Sequence, residues 1–112
     1  MKLTIQKLYL AGPMAGLPEH NFPAFHAEAA RLRALGYTVA NPAEINGDSP
    51  NMPYMWYIRR DLAELIQCEA VALLPGWYTS RGANIEYATA RMLEMPTYDS
   101  ATIIAPPLYK PL

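Results

Sequence analysis

The stretch Ala70 to Glu86, AVALLPGWYTSRGANIE, decides the fold. Its first five residues, Ala70 to Leu74, form an unbroken apolar run. Such runs belong to central parallel strands that are buried on both faces. Pro75-Gly76 interrupts the run. From Arg81 to Glu94 the small and apolar positions Ala83, Tyr87, Ala90 and Leu93 recur at helical spacing. Met95-Pro96 closes that segment, because the residue before proline avoids helical geometry. A buried strand therefore turns directly into a helix, and Ser80, Gly82 and Glu86 sit at the turn.

The flanking sequence repeats this pattern. Ile5 to Ala11, IQKLYLA, is rich in β-formers and ends at Gly12-Pro13, so it is predicted as the first strand. GPMAGLPEHN is a loop. Asn21 suits the N-cap of the next segment, and Pro23 is tolerated in a first helical turn. Phe22, Phe25, Ala29 and Leu32 mark a helix over Phe22 to Leu35, which Gly36 stops. Tyr37 to Ala40, YTVA, is a short second strand. Asn41 to Pro53 is a polar loop containing the turn pair Asn46-Gly47. A second helix starts near Pro53, with Tyr54, Ile58, Leu62, Leu65 and Ile66 on its apolar face. Thr102 to Ala105, TIIA, is a weaker candidate for the last strand, and the proline-rich tail PPLYKPL is expected to be irregular. The order β-α-β-α-β-α-β implies a parallel sheet with right-handed crossovers. Such sheets bind ligands beyond the carboxyl ends of their strands, where the strand order reverses. The loops after the first and third strands, GPMAG and PGWYTSRG, lie at that edge.

Composition narrows the function classes. With 112 residues, 52% of them hydrophobic and 17% charged, the chain can build the core of one domain spanning 1–112. The net charge is −1 and the basic residues are scattered, which argues against a polymeric nucleic-acid partner. The single cysteine, Cys68, allows neither an internal disulfide nor a multi-cysteine metal site. His20 and His26 lack metal-site spacing, so no metal and no cofactor is expected. No apolar stretch approaches the length of a membrane span, and the amino terminus reads straight into a strand. A cytoplasmic protein with no membrane partner is the expectation.

Two carboxylates stand out. Glu86 shares a stripe with Ala83, Ala90 and Leu93, which turns it towards the sheet. Asp61 lies three residues after Ile58 and four before Leu65, beside the apolar stripe of the second helix. As surface groups, Glu86 would serve the helix dipole and Asp61 would pair with Arg59, Arg60 or a neighbouring chain. Around one pocket they are the equipment for breaking a glycosidic bond. Ser80 fits an N-cap, and a helix N-terminus with a hydroxyl and a following glycine also suits phosphate. Arg81 opposes the helix dipole and makes better sense where an anion meets it. Gly12, Pro13, Met14 and Gly16 form a loop whose backbone can approach a ligand closely. Tyr9 shares a strand face with Ala11 and can present its hydroxyl at the carboxyl edge. Trp77 and Tyr78 can stack on a flat base, or pack on the second helix or at a subunit interface. The cluster Tyr54-Met55-Trp56-Tyr57 cannot all face one core, so part of it is expected to reach a ligand or a second subunit.

Together, YLAGPMAG (Tyr9 to Gly16), NFPAFHAEAARLRALGYTVANPAE (Asn21 to Glu44), RRDLAELIQCEAVALLPGW (Arg59 to Trp77) and SRGANIEYATA (Ser80 to Ala90) resemble the nucleoside 2-deoxyribosyltransferase-like superfamily. The similarity is to a small branch found in bacteria and their phages. It implies a flavodoxin-like α/β/α sandwich with a parallel sheet of four or five strands. It also implies cleavage or transfer at the N-glycosidic bond of a nucleoside or nucleotide. Its nucleophilic glutamate falls on Glu86, its acid aspartate on Asp61, and its first-strand tyrosine and glycine on Tyr9 and Gly12. A serine at the Ser80 position is similar to the branch that acts on 5′-monophosphates, which favours a phosphorylated ligand. Relatives complete the site with a neighbouring subunit, so a homo-oligomer is implied. The chain departs from the pattern at Glu69, where aspartate is usual, at Met14-Ala15, where basic residues often follow the glycine, and in a PGWYT loop one residue longer.

Overall fold

The computed structural model describes residues 4–47, 51–105 and 108–109. The predicted first strand is divided. β1 (Thr4–Ile5) pairs antiparallel with β6 (Leu108–Tyr109), whereas β2 (Lys7–Ala11) enters the main sheet. The break falls at Gln6, where the Glu69 carboxylate accepts from the backbone N–H of Gln6 (2.9 Å) and of Lys7 (3.1 Å). Glu69 thus holds the amino edge of the sheet. The tail expectation is corrected at Leu108 and Tyr109, which pair as a strand. The remaining tail residues lie outside the described ones.

The main sheet is parallel, with strand order β3-β2-β4-β5. Here β3 is Thr38–Ala40, β4 is Ala70–Leu73 and β5 is Thr97–Asp99. The last parallel strand is therefore not TIIA. Ser100–Thr102 forms a 3-10 turn, Ile103 is fully buried and Ile104 is exposed. The apolar pair signals one buried anchor rather than a strand. β5 escapes the pattern because it is an edge strand with half-buried side chains.

The connections explain where the crevice lies. β2 leads through α1 (Phe22–Ala34) outward to β3. The chain then returns through α2 (Pro42–Asn46) and α3 (Tyr54–Leu65) to β4, on the other side of β2. α4 (Arg81–Met92) continues in that direction to β5. Strand order thus reverses between β2 and β4, where the sheet opens at its carboxyl edge. α2 lies in the segment expected to be a loop. The Asn41 side chain caps it by accepting from the Ala43 N–H (3.0 Å), and Pro42 stands at the first position. Asn21 stands at the N-cap position of α1 as expected, but its side chain makes no cap hydrogen bond. It adopts a left-handed conformation (φ 59°) and donates from Nδ2 to the Pro13 carbonyl (3.0 Å), tying α1 to the glycine loop. Gly36 ends α1 as read from the sequence, with φ 103° that suits glycine.

Side-chain alternation makes two cores. Leu8 and Leu10 of β2, with Ala70, Ala72 and Leu74, pack against Phe25, Ala29 and Leu32 of α1. Tyr9 and Ala11, with Val71 and Leu73, face Leu65 of α3 and Ala90 of α4. The result is the flavodoxin-like α/β/α sandwich, here with four parallel strands. Among the described residues no helix is long and apolar enough to cross a membrane.

Candidate functional site

The crevice between β2 and β4 holds a cavity of about 630 Å³. Gly12, Met14 and Gly16 form one wall, α3 supplies Tyr54, Tyr57, Ile58 and Asp61, and α4 supplies Ser80, Gly82, Ala83 and Glu86. Two glycines let these walls close. A Cβ on Gly12 would stand 2.8 Å from Leu74 Cβ, and one on Gly82 would stand 2.7 Å from Tyr54 Oη. The first contact seats the β2 loop against the end of β4. The second brings α3 and α4 together beside the carboxylates.

Glu86 projects from the second turn of α4 and is only 5% exposed. Tyr9, fully buried on β2, donates its hydroxyl to Glu86 Oε2. Burial raises the Glu86 carboxyl to about 8. The Tyr9 hydrogen bond opposes that rise, and the nearby Asp61 charge adds to it. The Tyr9 phenol is itself pushed well above its usual range, by burial and then by the charges of Glu86 and Asp61. It therefore stays a neutral hydrogen-bond donor.

Asp61 is also buried, on the inner face of α3. Burial lifts its carboxyl to about 6, against the pull of an Asn46 hydrogen bond and the Arg60 charge. The bond runs from Asn46 Nδ2 to Asp61 Oδ1 at 2.6 Å. The hydrogen-bond partner of Asp61 is thus Asn46, while Arg60 acts on it through its charge: the Arg60 guanidinium lies over the Trp56 ring, 4.7 Å from its centroid. Between pH 6 and 8 the two carboxyls thus hold about one proton between them, the condition of like charges in one poorly solvated site.

Ser80 caps α4, its hydroxyl accepting from the Ala83 N–H at 3.2 Å. Beside the main cavity is a recess of about 600 Å³ that shares Ala15, Tyr54 and Ser80 with it. Pro13 and Arg81 line this recess. The exposed Arg81 guanidinium sits 5.5 Å from the Tyr54 ring centroid. The structure thus gathers Gly12, Met14, Gly16, Asp61, Ser80, Gly82 and Glu86 around one space, with Tyr9 directly behind Glu86. Pro13 and Arg81 stand in the adjoining recess. Trp77 is in neither. It stacks on Tyr87 at 4.6 Å between centroids and packs on the α3–α4 side of the core.

Sequence reading missed Asn46, His20 and Phe22, which also line the cavity. For Asn46 a signal existed. Asn-Gly after the second strand lies at the same carboxyl edge as the two loops that were singled out. For His20 there was none, since its place depends on a left-handed run at Glu19, His20 and Asn21 (φ 52°, 53° and 59°).

Comparison with known proteins follows from this geometry. The 2-deoxyribosyltransferase of the psychrotolerant bacterium Bacillus psychrosaccharolyticus has a similar structure, with a TM-score of 0.64 at 23% sequence identity. The match covers 81% of this chain and 69% of that one, and at this identity the likeness is one of fold. No curated protein matches the sequence. A family model described as "Domain of unknown function (DUF4406)" matches residues 6–99. With most of its length inside that match, the chain belongs to the DUF4406 family.

Proposed function

We propose that this chain cleaves the N-glycosidic bond of a (deoxy)nucleoside or its 5′-monophosphate, by hydrolysis or by transfer to a second base. The observation that carries the reading is the pair of buried carboxyls, Glu86 on Tyr9 and Asp61 on Asn46, facing one cavity at the reversal of strand order. The fold likeness to a deoxyribosyltransferase supports it.

Each group then has a task. Glu86 forms a bond to C1′ as the C1′–N bond breaks. The bonding pair leaves with the base, and the Asp61 proton neutralises it. Water or an acceptor base next attacks C1′, releasing Glu86 as carboxylate and returning a proton to Asp61. The competent form has Glu86 ionised and Asp61 protonated. Sugar hydroxyls donating to Glu86 add to the Tyr9 hydrogen bond and favour that form on binding. Gly12, Met14 and Gly82 allow close approach of the sugar. Ser80, with Arg81 and Pro13 in the adjoining recess, suits a 5′-phosphate. Exposed Tyr54 and Met55 at the start of α3 offer a surface for a second copy, which light scattering in solution tests.

Purified protein incubated with a panel of deoxynucleosides and 5′-monophosphates should release free base, and Glu86→Gln should not. Absence of base release from every member, with Glu86→Ala indistinguishable from wild type, refutes the reading. A second reading, a non-catalytic module that binds a nucleotide-derived ligand, has one observation in its favour. A carboxyl raised to about 8 is protonated at neutral pH in the empty cavity and is then a donor rather than a nucleophile. It predicts that bound ligand is recovered intact from the wild type.

A further inference from the structure

One side chain stands between the two spaces of the crevice. The main cavity and the recess share Ala15, Tyr54 and Ser80. Ala15 offers only a methyl group there. The Ser80 hydroxyl is held in its cap by the Ala83 N–H (3.2 Å). The Tyr54 ring is the bulk at the boundary, and a group that runs from the cavity into the recess has to pass it.

The contacts of Tyr54 set it across that passage. Its hydroxyl reaches the first turn of α4, so close that a Cβ on Gly82 would stand 2.7 Å from Oη. Its ring carries the Arg81 guanidinium, 5.5 Å from the centroid. Charge divides along the same line. Burial raises the Tyr54 phenol, the Arg81 charge and the Gly82 backbone oppose the rise, and the charges of Glu86 and Asp61 add to it. The phenol thus separates the two carboxyls of the cavity from the cation of the recess. Tyr54 is the first residue of α3 and is exposed, so it can be cut back without opening the core.

We infer that Tyr54 determines specificity at the 5′ end of the ligand, admitting an unsubstituted (deoxy)nucleoside and resisting a 5′-phosphate. This rests on the glycosidic reading above, which puts C1′ at Glu86 and turns the 5′ carbon towards Ser80. A 5′-hydroxyl ends short of the recess. A 5′-phosphate continues towards Arg81, where it meets the ring and competes with it for the guanidinium. Arg81 then exchanges one partner for another, and that exchange cancels part of the attraction. A site discriminates by what a ligand must displace as well as by what it gains.

The test compares deoxyadenosine, deoxyguanosine, deoxycytidine and thymidine with their 5′-monophosphates. Base release and calorimetric binding are measured for wild type, Tyr54→Phe and Tyr54→Ala. Tyr54→Ala should raise the monophosphate-to-nucleoside ratio of kcat/KM by about fivefold or more, through gain on the monophosphate side. Tyr54→Phe, which keeps the ring on Arg81, should give a smaller rise. Adding Arg81→Ala to Tyr54→Ala should take the gain away again. A merely structural role would change both ligands equally, and that outcome, or a fall in the ratio, overturns the inference. The same shift in binding with no base released keeps the selector and removes the glycosidase. Base release with an unshifted ratio does the reverse, and neither binding nor release removes both.

Discussion

The two faces of β2 were built for different ends, although they belong to the same five residues. Leu8 and Leu10 point into an apolar cluster under α1. The polar groups beside it are mutually satisfied: Arg31 bonds Glu28 and the carbonyls of Ser100 (2.8 Å) and Ile103 (2.7 Å), and the buried Ser100 hydroxyl donates to Glu28. Tyr9 and Ala11 point the other way, into a core that contains two buried carboxyls. The first face carries stability with no chemistry. The second gives up stability to hold charge where water is scarce, the arrangement expected where a pKa must be moved.

Substitutions on the two faces should therefore separate activity from stability. Glu86→Gln keeps the shape and the Tyr9 contact, and should lower base release on the order of a thousandfold or more. Its thermal stability at pH 8 should equal or exceed that of wild type, because a costly buried carboxyl is gone. Leu32→Ala, on the α1 face and away from the cavity, should cost about 2–5 kcal/mol of stability through transfer and cavity effects. At temperatures where it remains folded, it should leave kcat within a few-fold of wild type. Denaturant titration and a base-release assay on both variants read this out. A Glu86→Gln protein that unfolds while Leu32→Ala loses only activity would reverse the assignment of the faces.

The pH dependence sharpens the same contrast. The folded-state pKa of Glu86 lies at about 8, above its ordinary 4.5, so the folded chain keeps a proton that the unfolded chain has lost. Stability should then be greatest below pH 4.5, as far as this group is concerned, and decline as pH rises through about 8. The full effect is roughly 5 kcal/mol, and Glu86→Gln should remove most of that slope. Asp61 contributes a smaller decline of the same sign between 3.8 and about 6. Activity should follow a bell with limbs near 6 and 8, since the working pair holds one proton. Tyr9→Phe, which removes the donor favouring ionised Glu86, should move the upper limb to higher pH. A limb that stays in place would show that the hydroxyl serves packing alone.

These faces were unequally legible in the sequence. The β-α-β order placed the glycine loops at the carboxyl edge, and the helical stripe placed Glu86 and Asp61 inward, because periodicity is a local property of the chain. β5 was missed for a physical reason. An edge strand with half-buried Thr97 and Tyr98 has no continuous apolar run, whereas Ile103 draws attention by filling the core from a turn. Trp77 lies in a loop at the ligand edge, and its sequence leaves stacking on a base and packing on a helix both open. Nothing local indicated that Tyr87, in the second turn of the next helix, would take its ring. Asn46 and Asp61 lie fifteen residues apart and meet only once α2 and α3 have packed. Its role is a property of the assembled wall, and a turn-forming pair was all that its neighbours could show.

The glycines at the two ends of the crevice offer a finer test of how closely the walls must meet. A methyl group at Gly12 would press on Leu74 Cβ at 2.8 Å, an atom fixed to the backbone of a buried residue. Gly12→Ala should cost about 2–3 kcal/mol, in the range of overpacked cores, and disturb the β2 loop. At Gly82 the obstacles are Tyr54 Oη at 2.7 Å and Ile58 Cδ1 at 3.0 Å, both the far ends of side chains. Tyr54 is 42% exposed and stands at the first residue of α3, so its ring has solvent to swing into. Alanine also suits a helix better than glycine, which offsets part of the strain. Gly82→Ala should therefore lower stability by only about 1 kcal/mol or less. Tyr54→Phe in the same chain removes the hydroxyl from the clash and should recover part of that loss. A Gly82→Ala penalty as large as that at Gly12, unrelieved by Tyr54→Phe, would locate the constraint in the α3 and α4 backbones instead of in one mobile ring.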